Sequence, residues 1–111
     1  MQTNRDLMDA NTDPELYKRV FNAVNKVEGA SNPHRLRIRK IGNYLMIVLD
    51  IEVNGTISAY EAHRICVNVE DRIRGEMDNV FDIMIHIEPE GFKHREEIYG
   101  VNPEDLDPGK A

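Results

Sequence analysis

A chain of 111 residues with a net charge of −6 and one cysteine excludes several classes of protein before any motif is considered. An acidic domain is poorly matched to a phosphate backbone, so nucleic acid is not an expected partner. A single cysteine forms no internal disulfide and suits a reducing compartment. No apolar run reaches the ~20 residues that a membrane helix needs, and the first residues lack the apolar core of a signal peptide. We therefore expect one soluble, cytoplasmic domain.

Five helices and strands are predicted, in the order α-β-β-α-β. Asp13 and Pro14 are typical of a helix start, as cap and first helical residue, and a capping box that begins at Ser58 opens a second helix. Gly42 and Asn43 form the tight turn of a hairpin. The first helix is expected to begin at Pro14 and to stop at Gly29, and the next elements are expected at about 34–41, 44–53, 58–76 and 81–88.

The order of these elements determines the expected fold. A strand–helix–strand crossover makes the second and third strands parallel neighbours, so the sheet order is 1-2-3 and both helices lie on one face. This is an α+β fold with a three-stranded mixed sheet, the ferredoxin-like or metallochaperone-like arrangement without its first strand. Residues 13–89 form the domain, residues 1–12 precede it, and the polar residues 90–111 are predicted to be an extended or disordered tail.

Alternation along the strands predicts one apolar face beneath the helices and one open face of mixed character. On the open face, Met46, Val48 and Met84 form an apolar patch that a monomer would leave in water. Patches of this kind often mark interfaces, so we expect the chain to associate with itself through or near this face. The alternative is that a segment of the tail covers the patch.

The open face also collects residues that bind metals. His86 and Glu88 are two apart on the last strand and project from the same face, and Asp50 has the same parity on the neighbouring strand. An imidazole and two carboxylates suit a zinc-like ion, manganese or iron(II). The structural alternative is that Arg35, roughly opposite Asp50 in the hairpin, forms a cross-strand ion pair with it, and that His86 is an interface histidine.

Other residues with reactive side chains give weaker signals. His63 lies early in the second helix, off its apolar stripe, and on its own is typical of a surface histidine. The direction of His34 is ambiguous: strict alternation would direct it toward the helices, but it stands at the start of a strand, where the pleat is not yet fixed. Cys66 lies on the apolar stripe and is predicted to be a small buried residue. The sequence has no nucleophile with a base beside it and no glycine-rich phosphate loop, so we do not expect an enzyme.

Four short runs of the sequence carry a more specific signal when they are taken in order. They are DLMD at 6–9, VEG at 27–29 with HRLRIR at 34–39 and Gly42, ISAYEAH at 57–63, and VFDIMIHIEP at 80–89. Together they resemble the cytoplasmic C-terminal domain of the cation diffusion facilitator family of metal/proton antiporters. DLMD at 6–9 resembles the stretch that follows the last transmembrane helix in that family. The resemblance therefore extends from about residue 6 to residue 89.

This resemblance implies a metal-responsive dimerisation domain that binds Zn²⁺, or a related ion such as Mn²⁺, Fe²⁺, Co²⁺ or Cd²⁺, near the dimer interface. The ligand positions that it carries over are His34, Asp50, His63, His86 and Glu88, with His63 reaching toward the other subunit. Asp50 stands where a histidine often occurs in the family, and Glu88 where an aspartate can occur. Both are oxygen ligands, which makes the set of donor atoms harder in the Lewis sense.

The resemblance also implies partners and a location. The partners are a second copy of the chain and the membrane domain of the same efflux transporter, at the cytoplasmic face of the cell membrane. Residues 1–12 would be the linker from that membrane part, and the chain itself a soluble fragment. The alternative function is a purely structural dimerisation module with no physiological metal site.

Overall fold

The computed structural model describes residues 13–92 and 99–107, and its elements follow the predicted order. The α+β class and the α-β-β-α-β arrangement are confirmed. The elements are α1 (Pro14–Asn25), β1 (Ser31–Ile41), β2 (Tyr44–Val53), α2 (Ala59–Glu76), β3 (Val80–Pro89) and a short 3-10 helix, η1 (Pro103–Leu106). Both predicted helix caps are present, since Asp13 Oδ1 accepts a hydrogen bond from the amide of Glu15 and Ser58 Oγ accepts one from the amide of Glu61, each at 3.0 Å.

The sheet has the predicted order β1-β2-β3, with β1 antiparallel and β3 parallel to β2. The apolar row of β2 packs with both helices in the hydrophobic core, which agrees with the predicted alternation of the two faces. The fully buried members of the core include Val20, Val24, Leu36, Ile47, Leu49, Ile51, Val69 and Ile73. The opposite row of β2 and β3 is therefore the row that can carry polar chemistry.

Strand β1 departs from regular alternation in its first half. Arg37 pairs with Val48, but the next paired residue toward the start of β1 is His34, opposite Asp50. Three steps along β1 thus match two steps along β2, which is a bulge with one extra residue. The extra residue requires a left-handed backbone at Arg35, whose φ is 50°. The bulge turns His34 to the face of Asp50, and not toward the helices as strict alternation would direct it.

Residues 99–107 form structure that the sequence analysis did not predict. Val101 pairs with Leu36 at the outer edge of β1 through two hydrogen bonds of 2.9 Å, and it is only 3% exposed. Helix η1 follows immediately and contacts α1. The prediction of an extended or disordered tail is therefore wrong for residues 99–107, whereas residues 93–98 and 108–111 lie outside the described residues.

The predicted domain limits, 13–89 with flanking segments, remain a prediction, and residues 1–12 also lie outside the described part of the chain. No helix within residues 13–92 and 99–107 is long and apolar enough to cross a membrane.

The contact between Gly100 and β1 gives a stability prediction. Gly100 has φ of +87°, and a Cβ atom on it would lie 2.7 Å from Arg35 Cα, whereas Gly42 has φ of +62° with nothing within 4 Å of such an atom. Gly42→Ala should cost roughly 1 kcal/mol through its left-handed backbone alone. Gly100→Ala should cost about 1–2 kcal/mol more because it also clashes with backbone. Urea unfolding followed by circular dichroism measures both, and equal losses would contradict the close packing.

Candidate metal centre

Two carboxylates form the centre of the polar face. Asp50 on β2 and Glu88 on β3 are 0% and 3% exposed, although their row was predicted to lie open to solvent. Parallel pairing sets Asp50 beside His86 and Glu52 beside Glu88, which explains why strand parity placed these side chains on one face. The bulge of β1 also brings His34 and Arg35 to the same two carboxylates.

The distances among these groups are short and nearly uniform. His86 Nδ1 lies 3.7 Å from Asp50 Oδ1 and 3.3 Å from Glu88 Oε2. His34 Nε2 lies 3.7 Å from Asp50 Oδ2 and 3.5 Å from Glu88 Oε1. Both imidazoles therefore approach both carboxylates, one from β1 and the other from β3.

These side chains fit a divalent cation. Ligand atoms at 2.0–2.1 Å from a tetrahedral zinc ion lie roughly 3.3 Å from one another, and Asp50, His86 and Glu88 offer ligand atoms that all lie within 4.8 Å of one another. Asp50 Oδ1 is buried and accepts no hydrogen bond from the described residues. A buried carboxylate oxygen needs a donor or a cation, and a metal ion would satisfy it.

A second group of three potential ligands consists of His34, Glu52 and Glu88, so Glu88 is common to both groups. Glu52 was not predicted as a candidate ligand. Its position in the same row as Asp50, opposite Glu88 on β3, was the available signal. Glu52 is also held by Asn32, whose side-chain amide donates to Glu52 Oε2 at 2.8 Å.

The predicted pair of Arg35 and Asp50 is present, although the register differs by one residue. Arg35 Nε donates to Asp50 Oδ2 at 2.7 Å. Burial acts to lower the pKa of the Arg35 guanidinium, but the hydrogen bond and the charge of Asp50 outweigh burial and raise that pKa above its ordinary value. The two oxygens of Asp50 thus have different surroundings: Oδ2 carries the guanidinium, and Oδ1 faces His86.

The other predicted site residues lie away from this cluster. His63 is exposed on α2 and belongs to neither group of potential ligands among residues 13–92 and 99–107. On the open face, Met84 is 56% exposed, whereas Met46 and Val48 are half-buried. Tyr44 shares the parity of Met46, and its exposed ring meets that of Phe81 with the centroids 6.3 Å apart, which extends the apolar surface of this face.

Cys66 is half-buried rather than buried, and its Sγ lies 3.9 Å from Glu70 Oε2. Burial, followed by the charge of Glu70, raises the pKa of this thiol. A metal-binding cysteine is a thiolate with a lowered pKa, so the environment of Cys66 opposes that role. The candidate centre consists of nitrogen and oxygen donors.

The fold and this cluster define a small α+β domain with a candidate metal centre on its sheet, and comparison with known proteins identifies its family. The family described as "Cation efflux protein, cytoplasmic domain" matches residues 12–90. The chain belongs to this family, which confirms the resemblance seen in the sequence. The family is one of cation efflux proteins and not of enzymes, as predicted.

Individual relatives agree with this assignment. The chain is 35% identical over 82 residues to Metal tolerance protein 2 of Oryza sativa subsp. japonica, a match that covers 74% of this chain and 21% of that protein. It therefore spans about a fifth of the length of that relative.

Solved structures agree as well. The metal-bound C-terminal domain of the CzcD transporter from Thermotoga maritima is 34% identical with a TM-score of 0.68, and the match covers 72% of this chain and 93% of that one. The cytosolic domain of a cation diffusion facilitator family protein is 35% identical with a TM-score of 0.66, and the match covers 70% and 93% of the two chains.

The surroundings of Cys66 predict that its thiol reacts slowly with alkylating reagents. Because the thiolate is the reactive form, its alkylation by iodoacetamide at pH 8 should be slower in the folded chain than in urea. The folded chain holds this proton more tightly, so the thiol's contribution to stability should be complete below about pH 8 and should decrease as pH rises above the pKa of the unfolded thiol. Equal alkylation rates in folded and unfolded chains would contradict this prediction.

Proposed function

We propose that this chain is the metal-sensing and dimerisation domain of a divalent-cation efflux transporter, and that Asp50, His86 and Glu88 hold the sensed ion. The observation that carries the proposal is the geometry of these three residues, which come from two adjacent strands and include the buried Asp50 Oδ1. That the similar Thermotoga maritima domain is described as metal-bound supports the same conclusion.

Zinc is the ion we propose first, because a site with one or two imidazoles and two carboxylates at this spacing suits tetrahedral coordination. Carboxylate oxygens also suit Mn²⁺, and imidazole also suits Fe²⁺, so these ions, with Co²⁺ and Cd²⁺, are further candidates for the bound ion. Three residues leave one tetrahedral position for another ligand. His34 lies within reach of both carboxylates and is the candidate from the same chain.

Self-association would connect this site to transport. The His86 side chain is 57% exposed while its carboxylate neighbours are buried, so the site opens toward the face that carries Met46, Val48 and Met84. We propose that a second copy docks on this face and that His63 of the partner subunit approaches the metal. A bound ion would neutralise the carboxylates and favour one arrangement of the two copies, within the limit set by its differential affinity for the two arrangements.

In the whole protein, the partner of this domain would be the membrane part of the same transporter, with the domain at the cytoplasmic face of the cell membrane. Rising cytoplasmic metal would then favour an active arrangement of that membrane part.

The ion pair between Arg35 and Asp50 favours a second candidate function, a structural dimerisation module in which this pair only stabilises the domain. Chelation distinguishes the two functions. A structural module keeps its dimer and its melting temperature in EDTA, whereas a sensor is stabilised by metal in proportion to the concentration of free metal.

Metal binding is tested by calorimetric titration of the chain with Zn²⁺ at pH 7.5. His86→Ala and Glu88→Gln should each weaken binding by at least roughly 100-fold, because loss of a ligand costs more than the 10–100-fold typical of residues behind the ligands. Glu90→Gln is the matched control, since Glu90 is an exposed glutamate two residues along the same chain segment and belongs to neither ligand group.

If both variants bind as tightly as the unmodified chain, or if the control loses as much affinity as Glu88→Gln, then the assigned ligands are wrong.

A charged substitution tests the proposed docking of a second copy on the open face. Met84→Glu places a carboxylate on the open face and should weaken self-association by at least roughly tenfold, because it would bury an unpaired charge. Asn22→Glu is the control, because it adds the same charge at an exposed position of α1, away from the open face and from His63. Sedimentation velocity with and without Zn²⁺ measures both variants, and an equal or greater loss in Asn22→Glu would place the interface elsewhere.

A further inference from the structure

Residues 99–102, here called the C-terminal clamp, hold the bulge of β1 from its outer edge. Val101 pairs with Leu36, and Asn102 Oδ1 accepts a hydrogen bond of 2.9 Å from the backbone amide of Arg35. Gly100 approaches Arg35 so closely that a Cβ atom on the glycine would lie 2.7 Å from its Cα. Asn102 is itself held, because its backbone amide donates to Asp105 Oδ2 at 2.9 Å. The clamp therefore contacts Arg35 where its backbone is left-handed.

The clamp also contacts the Arg35 side chain. The Tyr99 ring lies 4.7 Å from the guanidinium carbon of Arg35 and 5.1 Å from that of Arg37. A guanidinium over an aromatic face at this distance is attracted by the ring. Tyr99 also adds to the effects that raise the pKa of Arg35. Arg35 is thus held at its backbone by Asn102 and at its side chain by Tyr99.

Arg35 transmits this restraint to the candidate metal centre. Its Nε atom donates to Asp50 Oδ2 at 2.7 Å, while the other oxygen of the same carboxylate, Oδ1, lies 3.7 Å from His86 Nδ1. The guanidinium and a metal ion can therefore use different oxygens of Asp50 at the same time. Hydrogen bonds that orient a ligating carboxylate in this way are a general feature of metal sites.

We propose that the C-terminal clamp, acting through Arg35, positions Asp50 as a metal ligand and so raises the affinity of the site. Arg35, Tyr99 and Asn102 are positioning residues that do not themselves touch the ion. This inference rests on the proposed metal-binding function. The clamp lies beyond residue 90, where the match to the family ends, so the positioning device is outside the region by which the family is recognised.

A series of substitutions at Tyr99 tests the clamp, with Zn²⁺ affinity measured by competition against a chelating dye. Tyr99→Leu removes the aromatic face and should weaken binding about fivefold, the worth of an exposed cation–π contact. Tyr99→Phe keeps the face and should bind within about twofold of the unmodified chain. Tyr60→Leu, which changes a tyrosine that is 76% exposed on α2, is the matched control and should have no effect.

Arg35→Gln tests the contact between Arg35 and Asp50 by the same measurement of Zn²⁺ affinity. It should weaken Zn²⁺ binding by about 10–100-fold, whereas Arg39→Gln, at an exposed arginine of the same strand, should have a small effect. The absorption spectrum of bound Co²⁺ reports coordination geometry and should change at saturation in Arg35→Gln, which a purely structural role would not cause. Arg35→Gln leaves Asp50 buried without its cation, and this variant can therefore fail to fold. The Tyr99 series tests the clamp whether or not Arg35→Gln folds.

The outcomes separate the two proposals. If the unmodified chain binds metal and His86→Ala does not, but Tyr99→Leu and Arg35→Gln bind as the unmodified chain does, the clamp is overturned and the metal site stands. Tighter binding in Arg35→Gln would mean that the arginine competes with the ion, which also overturns the clamp. If the unmodified chain binds no metal, both proposals fail. They fail even if Tyr99→Leu still shifts the NMR signal of the Arg35 Nε proton, because that shift reports only the contact between the two side chains.

Discussion

Two carboxylates, Asp50 and Glu88, lie close together out of contact with water on neighbouring strands. Burial of an ionised carboxylate is costly unless cations or hydrogen-bond donors approach it, and burial of two together adds their mutual repulsion. Among the described residues, the guanidinium of Arg35 and the imidazoles of His34 and His86 approach this pair. A divalent cation could satisfy both carboxylates at once. The requirement for positive charge at this point therefore links the stability of the sheet to its candidate function.

This requirement also accounts for the irregular path of β1. A strand with regular alternation would direct His34 toward the helices, and only an extra residue brings it to the carboxylates together with Arg35. The extra residue is accommodated by a left-handed backbone at Arg35, an unfavourable conformation that persists where neighbouring contacts hold it. Gly100 and Asn102 provide those contacts from beyond the end of the family match. The site on the sheet and the segment at its edge thus form one connected arrangement.

The exposure of the site residues is consistent with a role at an interface. His86 is the exposed member of its ligand group, and it lies on the face that also exposes Met84, Tyr44 and Phe81. A metal ion held there would have protein on one side and an open coordination direction on the other. Such a site can respond to a second copy of the chain, because a ligand supplied across an interface couples binding to association.

The sequence alone determined most of the fold and half of the site. Caps at Asp13 and Ser58, apolar alternation and the single crossover specify the order of the elements and the sheet, because these signals are local or follow from chain handedness. Strand parity brought Asp50, His86 and Glu88 to one face for the same reason.

Tertiary structure decided the rest. The bulge that turns His34 toward Asp50 is contacted by residues 99–102, more than sixty positions further along the chain, and no pattern within β1 reveals it. The two carboxylates are buried where His34 and Arg35 approach them, and strict alternation along β1 did not place these contacts. In the sequence, the role of Asp50 as partner of Arg35 and its role as a metal ligand are alternatives. The folded chain makes the two compatible, because a carboxylate has two oxygens and the structure directs them to different neighbours.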